Sequence, residues 1–501
     1  MADRWPRRAV VDIGSNSVRL VIFSGPPRVP VAIMNEKTLC GLGDRESDTG
    51  NLRAEAMERA LATLRRFRLV IESEQPETLD VFATAAVREA PNGIEFLRVI
   101  KSIGFYPKLI SGEEEARLAG LGILCSAPEI IRKRRMALGG DLGGGSLELS
   151  LLGGPDADIA DAGSLPVGAL RLLTLFGEDT GAAEDFVAKQ LAGLGWIRKL
   201  ANPTLYVVGG SWRAIARADM ARAGHPISIL DHYCMTADRT RAICRFVESA
   251  EPEALGAIDG VQKKRVPTLP MAAIVLRTLI EAARAERVVV SACGVREGLL
   301  FDRLSASVRS EDPLFALAQD LAERQSGGRL PDPDAAFEFI SPLFSDPPEM
   351  RRLRRAAALM IRMGNITHPD RRPEHAAATI MAAPFLGLGH TERAILAAMV
   401  KSRFNGSVGK GDCVIPVNLM TDEQREFAVQ VGRAHRLAAS LRTPIYSPDP
   451  GFALERDSGR LRLRVAARVS DLVAEQAVKD LDRLADAMSL PAEIIQLPDN
   501  S

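Results

Sequence analysis

Met136–Leu152, MALGGDLGGGSLELSLL, reads as an apolar strand ending at Asp141, a glycine turn at Gly143-Gly144-Gly145, Ser146, and a second strand. The three glycines are expected to turn the backbone through φ values that other residues avoid. Glu148 alternates with Leu147 and Leu149, so it faces the opposite side of the second strand. The turn offers a run of backbone N–H groups, which suits phosphate oxygens. The flanking carboxylates, Asp141 and Glu148, suit a hard divalent cation such as Mg²⁺. On its own the stretch is equally a glycine-rich β-turn with an exposed acid on each side.

A second copy changes that balance. Asp12-Ile-Gly-Ser-Asn-Ser17-Val-Arg-Leu20 aligns with Asp141-Leu-Gly-Gly-Gly-Ser146-Leu-Glu-Leu149, with Asp, Gly, Ser and Leu at the same offsets. Two such hairpins in two α/β segments predict a duplicated domain with two phosphate loops facing a cleft. Gly209-Gly210-Ser211 adds a strand–glycine–helix junction, where a helix N-terminus is offered to an anion. A plain tight turn has the same sequence.

The rest of the chain bounds the reading. At 501 residues several domains are expected. Lys+Arg and Asp+Glu are both 64, so a polyanion site must come from local clustering. Cys40, Cys125, Cys234, Cys244, Cys293 and Cys413 form no CxxC pair, which fits a reducing cytoplasm. No signal peptide and no run of about 18 apolar residues is evident, so a cytoplasmic protein without a transmembrane segment is expected.

Apolar spacing predicts a helix over about 53–74, a strand ending near Ala83-Thr84, Arg88 at the start of the next helix, and helices around 184–201. Ser111-Gly112-Glu113-Glu114-Glu115 opens a helix with Ser111 as N-cap. Arg132 to Arg135 reads as a solvated basic loop. SASVRSEDP at 305–313 reads as a boundary, followed by a helical region. There Arg351, Arg352, Arg354 and Arg355 fall on one side of a helix with Leu353 opposite, as a solvated face or a track for phosphates. His368, His375 and His390 lack metal-ligand spacing. GSVGKGD, 406–412, lacks phosphate-loop spacing and reads as a mobile loop. Two alternating runs around Asp457-Ser458-Gly459, then a helix, predict a small α+β tail.

DIGSNSVRL, ATAAVREA, SGEEEARLAGLG, DLGGGSLEL, VVGGS and SACGVREGLLFDRL occur in this order. Together they resemble the exopolyphosphatase / guanosine pentaphosphate phosphohydrolase family, within the superfamily of sugar kinases, actin and heat-shock ATPases. The resemblance covers about 9–305 and implies an α/β fold with two actin-like (ribonuclease-H-like) lobes and a cleft. These are 1–124 and 125–308, followed by an all-helical His-Asp-like domain (309–445) and a small α+β domain (446–501).

By the resemblance, Glu115 is the water-activating base. Asp141 and Glu148, with Asp12, are metal-associated acids for Mg²⁺ or another divalent cation. Asn16, Ser17, Arg88, Gly144, Gly145 and Ser146 match phosphate-contacting positions. Arg19, Thr84, Gly143, Gly209, Gly210 and Ser211 complete the candidate phosphate-binding set. The expected reaction is release of orthophosphate from the end of inorganic polyphosphate. The alternatives are removal of the 5′-terminal phosphate of guanosine pentaphosphate (pppGpp) or action on other guanosine or adenosine polyphosphates, an ATP-dependent kinase, and a non-catalytic sensor. The missing His-Asp dipeptide makes the helical domain a binding or dimerisation module. The resemblance implies a homodimer, and no nucleic-acid partner is expected.

Overall fold

A computed structural model describes residues 5–133, 135–154, 158–325, 332–361, 363–364, 366–441, 451–457 and 459–498. Arg134, Ser458 and the expected border at 445/446 lie outside the described residues. The contacts divide the chain into two units, Met1–Glu311 and Asp312–Ser501.

The first unit is built twice on one plan. One sheet has the order β3-β2-β1-β4-β5, from Arg8–Ile13 (β1), Ser17–Ser24 (β2), Val31–Leu39 (β3), Thr78–Ala83 (β4) and Lys108–Leu109 (β5). The other is formed by Ala137–Leu142 (β6), Leu147–Leu152 (β7), Ile159–Leu165 (β8), Thr204–Val208 (β9), Cys234–Thr236 (β10) and Arg287–Val290 (β11). Its order β8-β7-β6-β9-β11 repeats the first, with β10 added at the edge. In each, an antiparallel hairpin continues into parallel pairing, β1 with β4 and β6 with β9. Ala9, Val10, Val11 and Ile13 are buried, as a central strand covered on both faces requires. Each lobe has its own apolar core.

The two hairpins match residue for residue. Asp12 pairs with Arg19 and Ile13 with Val18; Asp141 pairs with Glu148 and Leu142 with Leu147. Gly14 N donates to Ser17 O at 3.1 Å, and Gly143 N to Ser146 O at 3.0 Å. Where the chain leaves β1 and β4 the direction of connection reverses, and such a switch point opens a crevice at the strands' carboxyl ends.

Several expectations change. Gly143, Gly144 and Gly145 do not have positive φ, whereas Gly209 does, at +106°. The three loop glycines therefore serve by leaving space rather than by unusual backbone. Arg88 sits in the last turn of the short helix Ala85–Glu89, not at its start. The helix expected around 184–201 is Thr180–Ala192, with a 3₁₀ turn at Gly195–Lys199. The helix Gly112–Ser126 packs on β6, β7 and β8, which places the change of lobe before Gly112 rather than at 124/125. One segment, Lys263–Ala283, is long and apolar enough to cross a membrane, but two thirds of its apolar window is buried, and Leu269–Ala283 is a core helix of the second lobe.

The second unit has helices Pro313–Gln325, Pro333–Ile340, Pro348–Leu359, Arg372–Ala382, His390–Arg403 and Asp422–Ser440. Phe452–Asp457 (β12), Arg460–Ala466 (β13) and Ala492–Leu497 (β14) form a sheet with the helix Glu475–Met488 between the last two strands. The arginine helix is not a basic face. Arg352 is bidentate to Asp312 at 2.5 and 2.8 Å, and Arg354 to Asp346 at 3.0 and 3.1 Å, both buried. Arg355 pairs with Asp334. The 406–412 loop is tied down: buried Lys401 Nζ donates to Lys410 O and Cys413 O at 2.7 Å and to Glu374 Oε2 at 3.1 Å.

Candidate active site

A cavity of about 330 Å³ lies between the lobes of the first unit. Asp12, Asn16, Ser17, Arg19, Thr84, Glu115, Asp141, Gly143, Gly144, Gly145, Ser146, Glu148, Gly209, Gly210 and Ser211 all line it. Of the expected residues only Arg88 stands behind the wall. Its Nη1 donates to Ile110 O at 2.8 Å and meets Glu115 Oε2 at 3.3 Å, so it orients the carboxylate rather than facing the cavity.

Backbone bonding shows how the loops present donors. Ser15 O accepts from Gly43 N, and Asn16 O from Cys40 N and Gly41 N. Gly143 O accepts from Ala169 N, Gly144 O from Leu170 N and Arg171 N, and Gly145 O from Arg171 Nε. In a trans peptide the N–H points opposite to the C=O before it. With these carbonyls engaged elsewhere, the N–H groups of Asn16, Ser17, Gly144, Gly145 and Ser146, all on residues that line the cavity, point away from those partners and are left for a ligand. Gly168 closes the back of the second loop: a Cβ there would stand 2.3 Å from Gly145 C and Ser146 N.

The acids are crowded: Glu115 and Glu148 are buried, and Asp12 and Asp141 are partly so. Glu115 is held on the first turn of its helix, where Ser111 Oγ accepts from Glu114 N at 3.1 Å. Burial, then Glu148, pushes its carboxyl well above the ordinary range, with Arg88 opposing. Glu148 accepts from Ser164 Oγ at 2.9 Å and is pushed up to about 7, chiefly by burial. Burial likewise raises Asp141 to about 6. Asp12 Oδ2 lies 3.5 Å from Arg296 Nη1. Among the described residues no three His, Cys, Asp or Glu side chains form a metal-holding group, so Asp12, Asp141 and Glu148 are not a ready-made three-ligand set.

Sequence reasoning missed the cations. Lys37, Arg213, Lys264, Arg265 and Arg296 join Arg19 on the wall. Arg19 and Lys37 are direct cross-strand partners, a repulsive arrangement in a sheet. Burial first, then neighbouring cations, lowers Arg19 to about 10 and Lys37 to about 8. Nε of Arg213 and of Arg296 is buried with no hydrogen-bond partner among the described residues. Arg213 and Arg296 each stand within three residues of a cavity-lining glycine, Gly210 and Gly294, a signal available in the sequence. Nothing local marks Lys37, Lys264 or Arg265. The arrangement can hold a polyanion with its terminal group between two amide-rich loops and a carboxylate beside it.

Comparison with known proteins places this geometry. Residues 21–307 match the Ppx/GppA phosphatase family, and residues 343–495 match the exopolyphosphatase C-terminal family. Exopolyphosphatase 1 of Mycobacterium tuberculosis is 27% identical over 350 residues, covering 66% of this chain and 97% of its own. Retrograde regulation protein 2 of Saccharomyces cerevisiae is 25% identical over 442 residues, covering 80% and 73%. The crystal structures of an exopolyphosphatase from Cytophaga hutchinsonii and of the Aquifex aeolicus family member are each 24% identical. They cover 60% of this chain and 99% and 97% of their own, at TM-scores of 0.54 and 0.51, and so share the fold of the two actin-like lobes. With the duplicated hairpins, the cleft and the family match extending over more than half of its residues, the chain belongs to the Ppx/GppA phosphatase family.

Proposed function

We propose that the cavity hydrolyses the terminal phosphoanhydride of inorganic polyphosphate and releases orthophosphate. The observation that carries this reading is the wall of six cations, Arg19, Lys37, Arg213, Lys264, Arg265 and Arg296, facing four acids in one small space. Clustered cations, of which Arg19, Lys37 and Arg265 have pKa values lowered by burial and by neighbouring cations, are satisfied by a ligand bearing several adjacent negative charges, as successive phosphates do.

The division of labour follows from position. Amides of the Asn16-Ser17 and Gly144-to-Ser146 loops hold the terminal phosphate. The cations hold the phosphates behind it. Glu115 takes a proton from the attacking water, for which a carboxylate of raised pKa is suited. Arg88 fixes the orientation of Glu115. A phosphoanhydride is already a good leaving group, so positioning and charge neutralisation supply most of the rate.

Asp141 and Glu148 fit Mg²⁺, which takes one or two carboxylates and completes its shell with water and phosphate oxygens. When bound there it would neutralise developing charge on the phosphate. Asp141 and Glu148 are direct cross-strand partners that crowd each other, and a bound cation would relieve that repulsion.

The test is orthophosphate release with Mg²⁺ from long and short polyphosphate, pppGpp and ATP. Release from polyphosphate at the highest kcat/KM is expected. Release from pppGpp alone assigns the site to that nucleotide, acceptor-dependent loss of ATP makes it a kinase, and no release from any substrate contradicts hydrolysis.

A further inference from the structure

Arg171 stands in the first turn of the helix Ala169–Phe176, beside Ala169 and Leu170 on the cavity wall. Its Nε donates to Gly145 O at 2.7 Å. Its Nη2 pairs with Glu89 Oε2 at 2.7 Å, across the cleft in the other lobe. The same oxygen takes Arg45 Nη2 at 3.0 Å. Glu89 ends the helix that begins beside Thr84 and Ala85, both on the cavity wall. One guanidinium therefore joins the second phosphate loop to the opposite wall. Burial pushes the Glu89 carboxyl up, but Arg171 and Arg45 together hold it below its ordinary range, so the bridge stays charged near neutral pH.

The link has little to offer stability. Arg171 and Glu89 side chains are only partly covered, 29% and 34% exposed, and ion pairs that keep access to water contribute little to folding. Its geometric consequence is larger. The Gly145 carbonyl held by Arg171 fixes the peptide plane whose other end is the Ser146 N–H. A Cβ at Gly145 would stand 3.7 Å from Arg171 Nη2 and 3.4 Å from Ser15 Oγ, so the loop, the guanidinium and the first hairpin meet at one point.

We propose that Arg171 is a positioning residue for phosphate hydrolysis, aiming the Ser146 N–H into the cavity and, through Glu89, setting the second phosphate loop against the Thr84–Ala85 wall. This rests on the hydrolytic reading above. On the second loop Glu89 acts through Arg171, while Arg45 ties the same Glu89 oxygen to Ala85 O at 3.4 Å.

The experiment measures kcat and KM for orthophosphate release from polyphosphate, with melting temperature, for wild type, R171A, R171K, E89A and R171A/E89A. R171A is expected to lower kcat/KM about 10- to 100-fold, mostly in kcat, at an unchanged melting temperature. E89A falls less, the double variant falls no further than R171A, and R171K, which keeps one donor, recovers part of the rate. Wild-type kcat/KM in R171A, additive losses in the double variant, or losses that track melting temperature overturn the proposal. A wild type that releases no orthophosphate overturns both readings, whereas a wild-type rate untouched by R171A overturns this one alone.

Discussion

In the first unit Glu115 and Glu148 are buried beside half-buried Arg213 and Arg296, around open space, and the Nε of each arginine has no hydrogen-bond partner among the described residues. In the second unit Lys401, Arg352 and Arg354 are as deeply buried, yet each is met by oxygens. Lys401 has three acceptors, Arg352 has both oxygens of Asp312, and Arg354 has both of Asp346. Desolvating an ion is costly, and only a partner offsets it. Where the protein supplies the partner, the charge is a structural fastening. Where like charges crowd an open cavity instead, as Arg19, Lys37 and Arg265 do, a ligand of opposite charge offsets the cost. Removing a charge should then act with opposite sign in the two units.

The largest stability effect is expected at Lys401. K401M leaves Glu374 and two carbonyls without their cation and should cost about 3–5 kcal/mol, read in denaturant unfolding of the full chain. A loss below ~1 kcal/mol would place Lys401 outside the fastening class.

Glu148 should behave in reverse. Its folded pKa, about 7, lies above the usual glutamate value, so its ionisation costs stability as pH rises from about 4.5 through 7. Without divalent cation, E148Q should therefore gain on the order of 2–3 kcal/mol at pH 8 and nothing at pH 4. An equal gain at both pH values would mean that the group is not held ionised at a cost.

Lys37 gives a smaller version. Its pKa, lowered to about 8, means that its charge opposes folding below that pH, and the penalty fades as pH rises towards the free-lysine value. The side chain lies on the wall of an open cavity and keeps access to water despite the crowding there, so K37M should gain only about 0.5–1 kcal/mol at pH 7, less in high salt. Its KM for polyphosphate should rise as stability rises. A variant both less stable and equally active would contradict the assignment.

Arg351 is the control. It is exposed, with its guanidinium 5.7 Å from the Phe337 ring centre. R351Q should change unfolding free energy by less than about 0.5 kcal/mol; a loss above 1 kcal/mol would give that helix a role that burial does not show.

The same contrast explains what was legible in the sequence. The hairpins were, because Asp, Gly and Ser at fixed offsets describe a local turn, and the register Asp12–Arg19 and Asp141–Glu148 follows from it. The glycines' purpose was not: the space they leave is filled or open according to segments far away, such as Leu170 and Ser15. Lys264 and Arg265 were invisible for the same reason. Arg265 covers Gly210, 55 residues earlier in the sequence, so closely that a Cβ there would be 2.2 Å from its Nη2. The arginine helix was misread because spacing reports which side a charge is on and not that Asp312 and Asp346 wait there. The lobe border was misplaced because the helix of Glu115 follows the first sheet in sequence but packs on the second.

The most direct measurement is orthophosphate release from polyphosphate by E115Q, with polyphosphate affinity determined on the same preparation. The amide loops and cations are untouched by that change, so affinity should stay within about threefold of wild type while kcat falls about 10³-fold or more. Turnover near the wild-type rate would show that water is activated elsewhere and contradict the assignment of the cavity's chemistry to Glu115.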